Sequence, residues 1–264
     1  MSNILFTANR GFALLGSRRM LMERLLASGH QVAIATADDA QAGVLEGLGI
    51  RRFVVGFKRG GVALEADARS LRHLVRAYRS FKPALVHHFH AKPMFYGALA
   101  ARVAGVPAVL NTVTGLGESM PDKGMKARLS RAMYAHAGGS ARFTVFQNSD
   151  DLALFQRYEL VPVGRERLIT SSGVDVRRFK PAVAHDAPAR VVCMARLLKK
   201  KGIREFIEAA RLVRLQVAAP VRFELAGEWD TQHPDAVTAA ELAAWNEDGA
   251  VEFIGYCRRP EDWL

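Results

Sequence analysis

The run ALVHHFHAKPMFYGALAARVAGVPAVLNTV, residues 84–113, holds a whole structural unit in one line. ALVHH from Ala84 and AVLNTV from Ala108 are short, apolar and partly β-branched, the composition of buried strands. Between them Met94 to Ala104 reads as a helix that stops at Gly105-Val106-Pro107, where glycine and proline end helical spacing. Strand, helix and strand in that order predict a parallel βαβ unit.

The same alternation extends outward on both sides. ILFTA from Ile4, QVAIAT from Gln31 and RRFVV from Arg51 are strands upstream; FTVFQN from Phe143 and RLITS from Arg167 are strands downstream. Arg18 to Ser28 is a helix closed by Gly29, and Leu71, Leu74, Val75, Tyr78 and Phe81 keep helical spacing, with Arg69, Arg72, Arg76, Arg79 and Lys82 on the opposite face. SSGVDVRRFKPAVAHDAPAR from Ser171 is proline-punctuated and aperiodic, so it reads as an interdomain linker. A second series follows: RVVCMA from Arg190, a helix over Ile203 to Leu215, VRFELAG from Val221, a helix near Ala236 to Trp245, and VEFIG from Val251. The expected fold class is α/β, with a complete doubly wound domain over residues 1–182 and an incomplete second one over 183–264.

Composition narrows the function classes. The chain has 264 residues, half of them hydrophobic, enough for a sizeable core. Its longest apolar stretch, from Gly97, is interrupted by Arg102 and the Gly-Val-Pro break, so no membrane span is expected. The N-terminus lacks the pattern of a signal peptide, and Cys193 and Cys257 lack zinc-site spacing, so a reducing cytoplasm fits. The net charge of +11 is uneven: 26 Lys and Arg stand against 13 Asp and Glu up to Pro181, and 11 against 13 from Ala182 onward. That asymmetry implies an anionic partner for the first part: a phosphate-bearing substrate, an anionic membrane surface or nucleic acid. No G-x-S-x-G, HExxH or GxxxxGK[ST] motif occurs, and no strand interleaves basic with aromatic residues, so nucleic acid is not the expected partner.

Four stretches are candidates for chemistry. GFALLG, Gly11 to Gly16, follows the first strand as a ligand loop would, with helix N–H groups left for an anion; a tight turn is the plainer reading. HHFHAKP places His87, His88, His90 and Lys92 at the end of the fourth strand, as a polar wall for sugar or phosphate or, for one or two of the histidines, as hydrogen-bonded core, rather than a metal site, because adjacent strand residues face opposite ways. TVTGLG sets Gly115 and Gly117 in a loop before a basic stretch, a candidate lip over a phosphate-bearing acceptor or a plain solvated loop. ARLLKKKG, Ala195 to Gly202, has four basic residues that are a solvated run, a nucleic-acid patch or a phosphate site.

Taken together, SSGVDVRRFKP, ARLLKKKG and the pair HHFHAKPMFYGALAARVAGVP with TVTGLG resemble the retaining family 4 glycosyltransferases of the GT-B type. The resemblance implies two Rossmann-like domains and transfer from a nucleotide-sugar donor to a lipid-linked or cell-surface saccharide, with no cofactor and no metal. The excess of 13 positive charges up to Pro181 supports a peripheral hold on an anionic membrane, with Arg69 to Lys82 as the candidate contact and an ordinary surface helix as its rival. The resemblance makes Arg196, Lys201 and Gly202 donor-binding residues and Gly173 and Asp175 hinge residues. His87 becomes the catalytic group, and Gly11, Gly16, His88, Lys92, Gly115 and Gly117 line the acceptor side. Family members carry further βα units and a Glu-x7-Glu motif beyond the position of RRPEDWL, so the 264 residues alone are expected to lack activity. A noncatalytic binding module, for nucleic acid or for a partner chain, is the alternative of a different class; a sugar-nucleotide epimerase is the alternative enzyme.

Overall fold

A computed structural model describes residues 1–57, 63–116, 120, 123–181, 188–231, 233, 235–257 and 259–263. The chain forms two compact units, Met1–Val174 and Asp175–Leu264. The first unit holds β1 (Asn3–Thr7), β2 (Gln31–Thr36), β3 (Arg51–Val54), β4 (Leu85–Phe89), β5 (Ala108–Val113), β6 (Phe143–Phe146) and β7 (Glu166–Leu168). They make one sheet in the order β3-β2-β1-β4-β5-β6-β7, every pair parallel. The order reverses between β1 and β4, where Thr7 pairs with His88. Crevices beyond the carboxyl ends of strands at such a reversal are where open α/β sheets bind ligands.

Strands β1, β2, β4 and β5 read as nearly continuous apolar runs because both faces are covered. On one face Leu5, Ala33, Val86 and Val109 pack against Leu74, Tyr78 and Phe81 of α3 (Leu64–Phe81) and Ala100 and Ala101 of α4 (Ala91–Ala104). On the other, Ile4, Phe6, Val32, Ile34 and Phe89 pack against Leu14 and Met22 of α1 (Gly11–Ala27) and Ala42 and Leu45 of α2 (Ala40–Glu46). A third cluster joins Met94 and Ala98 of α4 to Tyr134 and Ala137 of α5 (Gly124–Ser140) and Phe155 of α6 (Ser149–Arg157).

Two helix starts differ from the sequence expectation. Helix α1 begins at Gly11, not after Gly16, because Leu14, Arg18 and Met22 are buried at four-residue spacing and carry the helix back over GFALLG. Helix α4 begins at Ala91, with Pro93 in its first turn, where a missing N–H costs nothing.

The second unit has a three-stranded parallel sheet, order β10-β9-β8, from β8 (Ala189–Met194), β9 (Val221–Ala226) and β10 (Glu252–Gly255). Its core gathers Leu197, Phe223, Leu225 and Val251 with Ile203, Ile207 and Ala210 of α7 (Ile203–Gln216) and Leu242 of α8 (Ala239–Asp248). Helix α8 starts later than expected because Thr238 and Glu241 form a reciprocal capping box that fixes its first turn. Among the described residues no helix is long and apolar enough to cross a membrane.

Candidate active site

In the second unit ARLLKKKG is a strand-to-helix junction. Leu197 and Leu198 are fully buried and anchor the turn, while Arg196 and the three lysines are exposed. Lys199–Lys201 form one 3-10 turn that ends at Gly202, whose φ of 73° is left-handed and suits glycine. Gly202 is also the N-cap of α7, so the turn delivers the chain to a helix N-terminus, where free N–H groups and the helix dipole favour an anion.

The basic residues are not equivalent there. Lys199 Nζ lies 3.6 Å from Glu241 Oε2, and the Lys200 N–H donates to Asp235 Oδ2 at 3.2 Å. Among the described residues, the side chains of Arg196 and Lys201 make no ion pair and no hydrogen bond. Among the described residues the two cations expected to hold phosphate, Arg196 and Lys201, thus have no carboxylate partner, whereas Lys199 has one.

In the first unit the three histidines of HHFHAKP part company. His88 is fully buried in a hydrogen-bond chain that runs from Thr7 through Tyr78, His88 and Asn111 to the Ala137 carbonyl, each link 3.0 Å. With Asn111 Oδ1 facing Nδ1, that nitrogen donates and Nε2 accepts from the Tyr78 hydroxyl, which fits a neutral ring. Burial pushes His88 down to about 4, partly offset by the Asn111 contact. The expected cleft role of His88 gives way to a core role: its imidazole fills the space above Gly97, where a methyl group would clash with the ring.

His87 is also buried, with Nε2 2.7 Å from Thr112 Oγ1 and its ring 4.1 Å from that of Phe89. Burial first, then the His88 and Arg18 environment, holds it well below the usual histidine range. His90 is different. It ends β4 as the N-cap of α4 with φ 72° and ψ 161°, a region almost reserved for glycine, and its Nδ1 is buried without a hydrogen-bond partner. Strain of this kind costs about 1–3 kcal/mol and collects at functional sites. Burial and then the nearby Arg18 charge lower the His90 pKa.

Arg18, which sequence reasoning passed over, sits among these groups. It is 7% exposed, its guanidinium carbon is 4.6 Å from the centre of the Phe89 ring, and Nη1 donates to the Ser17 carbonyl at 3.0 Å and to Ser172 Oγ. Gln147 Nε2 donates to the same Ser172 oxygen at 2.7 Å. Among the described residues no carboxylate pairs with Arg18. Taking such a charge out of water costs several kcal/mol, which the ring face and two hydrogen bonds offset only in part. The only sequence signal was the four-residue spacing of Leu14, Arg18 and Met22, which puts a cation on the buried face of α1.

Other expected residues take structural places. The Gly11 N–H donates to Asp39 Oδ2 at 2.8 Å, and Asp39 Oδ1 accepts from Ala42 at 2.9 Å. One carboxylate thus already occupies the N-termini of α1 and α2, and a side chain at Gly11 would clash with it. Gly16 is an exposed helical residue rather than part of a loop. Lys92 Nζ is 2.9 Å from Asp67 Oδ1, so its charge is spent inside the fold. Gly115 follows β5, and Gly117 lies outside the described residues. Gly173 has φ 75° after β7, and Asp175 accepts from the Arg177 N–H at 3.0 Å, a local turn. Among the described residues no group of three or more His, Cys, Asp or Glu is placed to hold a metal ion.

A doubly wound unit with a polar strand edge, and a second α/β unit with paired cations at a helix N-terminus, define a GT-B type of fold. Residues 17–171 match the Glycosyl transferase 4-like domain, and the chain belongs to that family, which makes it a glycosyltransferase. It is similar to the Campylobacter jejuni enzyme N,N'-diacetylbacillosaminyl-diphospho-undecaprenol alpha-1,3-N-acetylgalactosaminyltransferase, with 24% identity over 95% of this chain and 68% of the relative. The Escherichia coli UDP-Gal:alpha-D-GlcNAc-diphosphoundecaprenol alpha-1,3-galactosyltransferase is 29% identical over 51% of this chain and 34% of that protein. Among solved structures, Anabaena HepE in complex with UDP-glucose matches the fold with a TM-score of 0.73 and 16% identity, covering 100% of this chain and 71% of that one.

Proposed function

We propose that this chain serves transfer of a sugar from a nucleotide-sugar donor to a saccharide carried on a polyprenyl diphosphate. The observation that carries the reading is the sorting of charge in ARLLKKKG, the stretch that leads into the N-terminus of α7: among the described residues Arg196 and Lys201 make no ion pair, while Lys199 is held by Glu241. A departing nucleoside diphosphate gathers negative charge, and a guanidinium fork, an ammonium and helix N–H groups stabilise it without a metal. The names of the Campylobacter and E. coli relatives, both referring to diphospho-undecaprenol substrates, support the acceptor class. Within the first unit His90, rather than His87, is the histidine placed to meet substrate. Its Nδ1 is unsatisfied, whereas the His87 Nε2 is already engaged by Thr112.

The finer features belong to the same reading. The exposed basic face of α3, with Arg69, Arg72, Arg76 and Arg79, and the exposed Met125, Lys126, Arg128 and Leu129 of α5 supply a peripheral hold on an anionic bilayer. The chain spans 68% of the Campylobacter relative and 71% of HepE.

Titration with UDP, UDP-galactose and UDP-N-acetylgalactosamine tests the reading, with single-stranded nucleic acid at matched salt as the comparison. Saturable binding of the nucleotides is expected. Salt-sensitive nucleic-acid binding with no response to any uridine diphosphate would replace the transferase reading with a binding module.

A further inference from the structure

We infer that Arg18, with Ser172 and Gln147, forms a phosphate-binding site in the first unit, separate from the cations of ARLLKKKG. The inference rests on the transferase reading and adds to it a place where a substrate phosphate is recognised. Arg18 is a buried cation with no carboxylate among the described residues, and its Nε and Nη2 make no hydrogen bond among them. A guanidinium offers five donors in a planar fork, and only Nη1 is engaged. The ring of Phe89 holds the fork from one side. Ser172 and Gln147 add a hydroxyl and an amide, and Ser172 is exposed, so this edge of the cluster reaches solvent. His90, with its unsatisfied Nδ1 and left-handed backbone, belongs to the same neighbourhood, since the Arg18 charge acts on it.

The ligand class follows from the chemistry. A planar fork beside neutral donors fits an oxyanion of tetrahedral phosphorus, and a substrate of this reaction offers two sources: the diphosphate of the lipid-linked acceptor and the diphosphate of the nucleotide sugar. A purely structural arginine would be met by a carboxylate or by several carbonyls; Arg18 has one carbonyl, from its own neighbour in sequence.

The test uses the chain with two probes, farnesyl diphosphate and UDP, and farnesol as the phosphate-free control. Arg18→Gln removes the charge. Ser172→Asp leaves the buried arginine in place but gives it an internal carboxylate that competes with any bound phosphate, and at an exposed position it is not expected to disturb folding. Both variants are expected to weaken farnesyl diphosphate by about tenfold to a hundredfold, with farnesol unchanged. Weakening of UDP instead supports the site and assigns its phosphate to the donor. Unchanged affinity for both probes in folded Ser172→Asp overturns the inference, whatever becomes of Arg18→Gln. Arg196→Ala keeps the two readings apart: if UDP binding depends on Arg196 while neither Arg18 nor Ser172 matters to either probe, this site fails and the transferase reading stands. If the wild-type chain binds neither probe, both fail.

Discussion

The Lys92 ammonium lies 2.9 Å from the Asp67 carboxylate, joining the first turn of α4 to the first turn of α3 across 25 residues of sequence. Asp67 also accepts from the Ala63 N–H at 2.9 Å, so a single buried carboxylate caps one helix and pins another. Burial pushes the Asp67 carboxyl up, but Ala63, Lys92 and Tyr96 together outweigh it and leave it below the usual range. Lys92→Met is expected to destabilise the first unit by about 3–5 kcal/mol, because it leaves a buried carboxylate without its cation. Adding Asp67→Asn should restore a large part of that loss, which a double-mutant cycle in urea would measure. A carboxyl with a depressed folded pKa contributes stability above its unfolded pKa of about 3.9 and loses it as pH falls through the folded value, so the Asp67 contribution fades only below about pH 4.

The two glycines of GFALLG should respond in opposite directions. A methyl group at Gly11 meets the Asp39 carboxylate and the Ala42 backbone, neither of which can retreat without uncapping α2, so Gly11→Ala is expected to cost about 1–3 kcal/mol. At Gly16 nothing lies within 4 Å of the added carbon, and the residue is an exposed helix interior. Gly16→Ala is expected to stabilise by about 0.5–1 kcal/mol. Chemical denaturation of both variants checks the assignment, and stabilisation by Gly11→Ala would contradict the packing described here.

Those two glycines also mark where sequence reading stopped. The strands of both units stand close to where the apolar runs put them, most clearly β1, β2, β4 and β5, which are buried on both faces; β7 covers only Glu166–Leu168 where RLITS was expected from Arg167. Helix α1 was cut short because glycines at both ends of GFALLG look like loop punctuation, although Leu14, Arg18 and Met22 keep helical spacing through it. The partners of charged residues were beyond reach for a different reason. Ser172 meets Arg18 from 154 residues away and Asp67 meets Lys92 from another helix, so the pairing that frees one cation and neutralises another exists only in three dimensions. Arg196 and Lys201 were singled out through the resemblance to the family's donor motif, while the choice among His87, His88 and His90 needed Thr112, Asn111 and Tyr78 in place.

His88 predicts a pH dependence distinct from that of Asp67. Its folded pKa is near 4, against about 6.5 in the unfolded chain, so between those values the unfolded state binds more protons. Stability is then complete above about pH 6.5 and falls as the pH drops toward 4, with a slope of up to about 1.4 kcal/mol per pH unit from this residue. His87, also held low by burial, adds in the same direction. His88→Asn should flatten the slope of unfolding free energy between pH 6.5 and 4 while lowering stability at pH 7, since it breaks the chain from Tyr78 to Asn111. A slope unchanged in that variant would show that His88 is not the neutral buried group described.

Lys199 and Lys201 differ by two positions and should differ in function. Lys201→Ala and Arg196→Ala are each expected to weaken UDP by about tenfold or more, the loss of one charge-assisted contact. Lys199→Ala should leave UDP affinity within about threefold, because its ammonium is held by Glu241 and exposed to solvent screening. Equal losses at the two lysines would return ARLLKKKG to an undifferentiated basic patch.

The proposed membrane attachment separates into a charge part and an apolar part, each testable by itself. Arg72, Arg76 and Arg79 lie exposed along α3, and basic residues near an anionic surface contribute about 1 kcal/mol each within a Debye length. Replacing all three with Gln is expected to reduce pelleting with phosphatidylglycerol vesicles about a hundredfold at low salt, and to change nothing with neutral phosphatidylcholine. Met125, 76% exposed, and Leu129, 49% exposed, stand one helical turn apart on α5 beside Lys126 and Arg128, so this helix offers insertion as well as attraction. Met125→Ser with Leu129→Ser should therefore remove the binding that persists at high salt, where charge alone is screened. Equal sedimentation of the wild-type chain with anionic and neutral vesicles would refute the electrostatic hold, and a silent α5 variant would leave α3 as the contact.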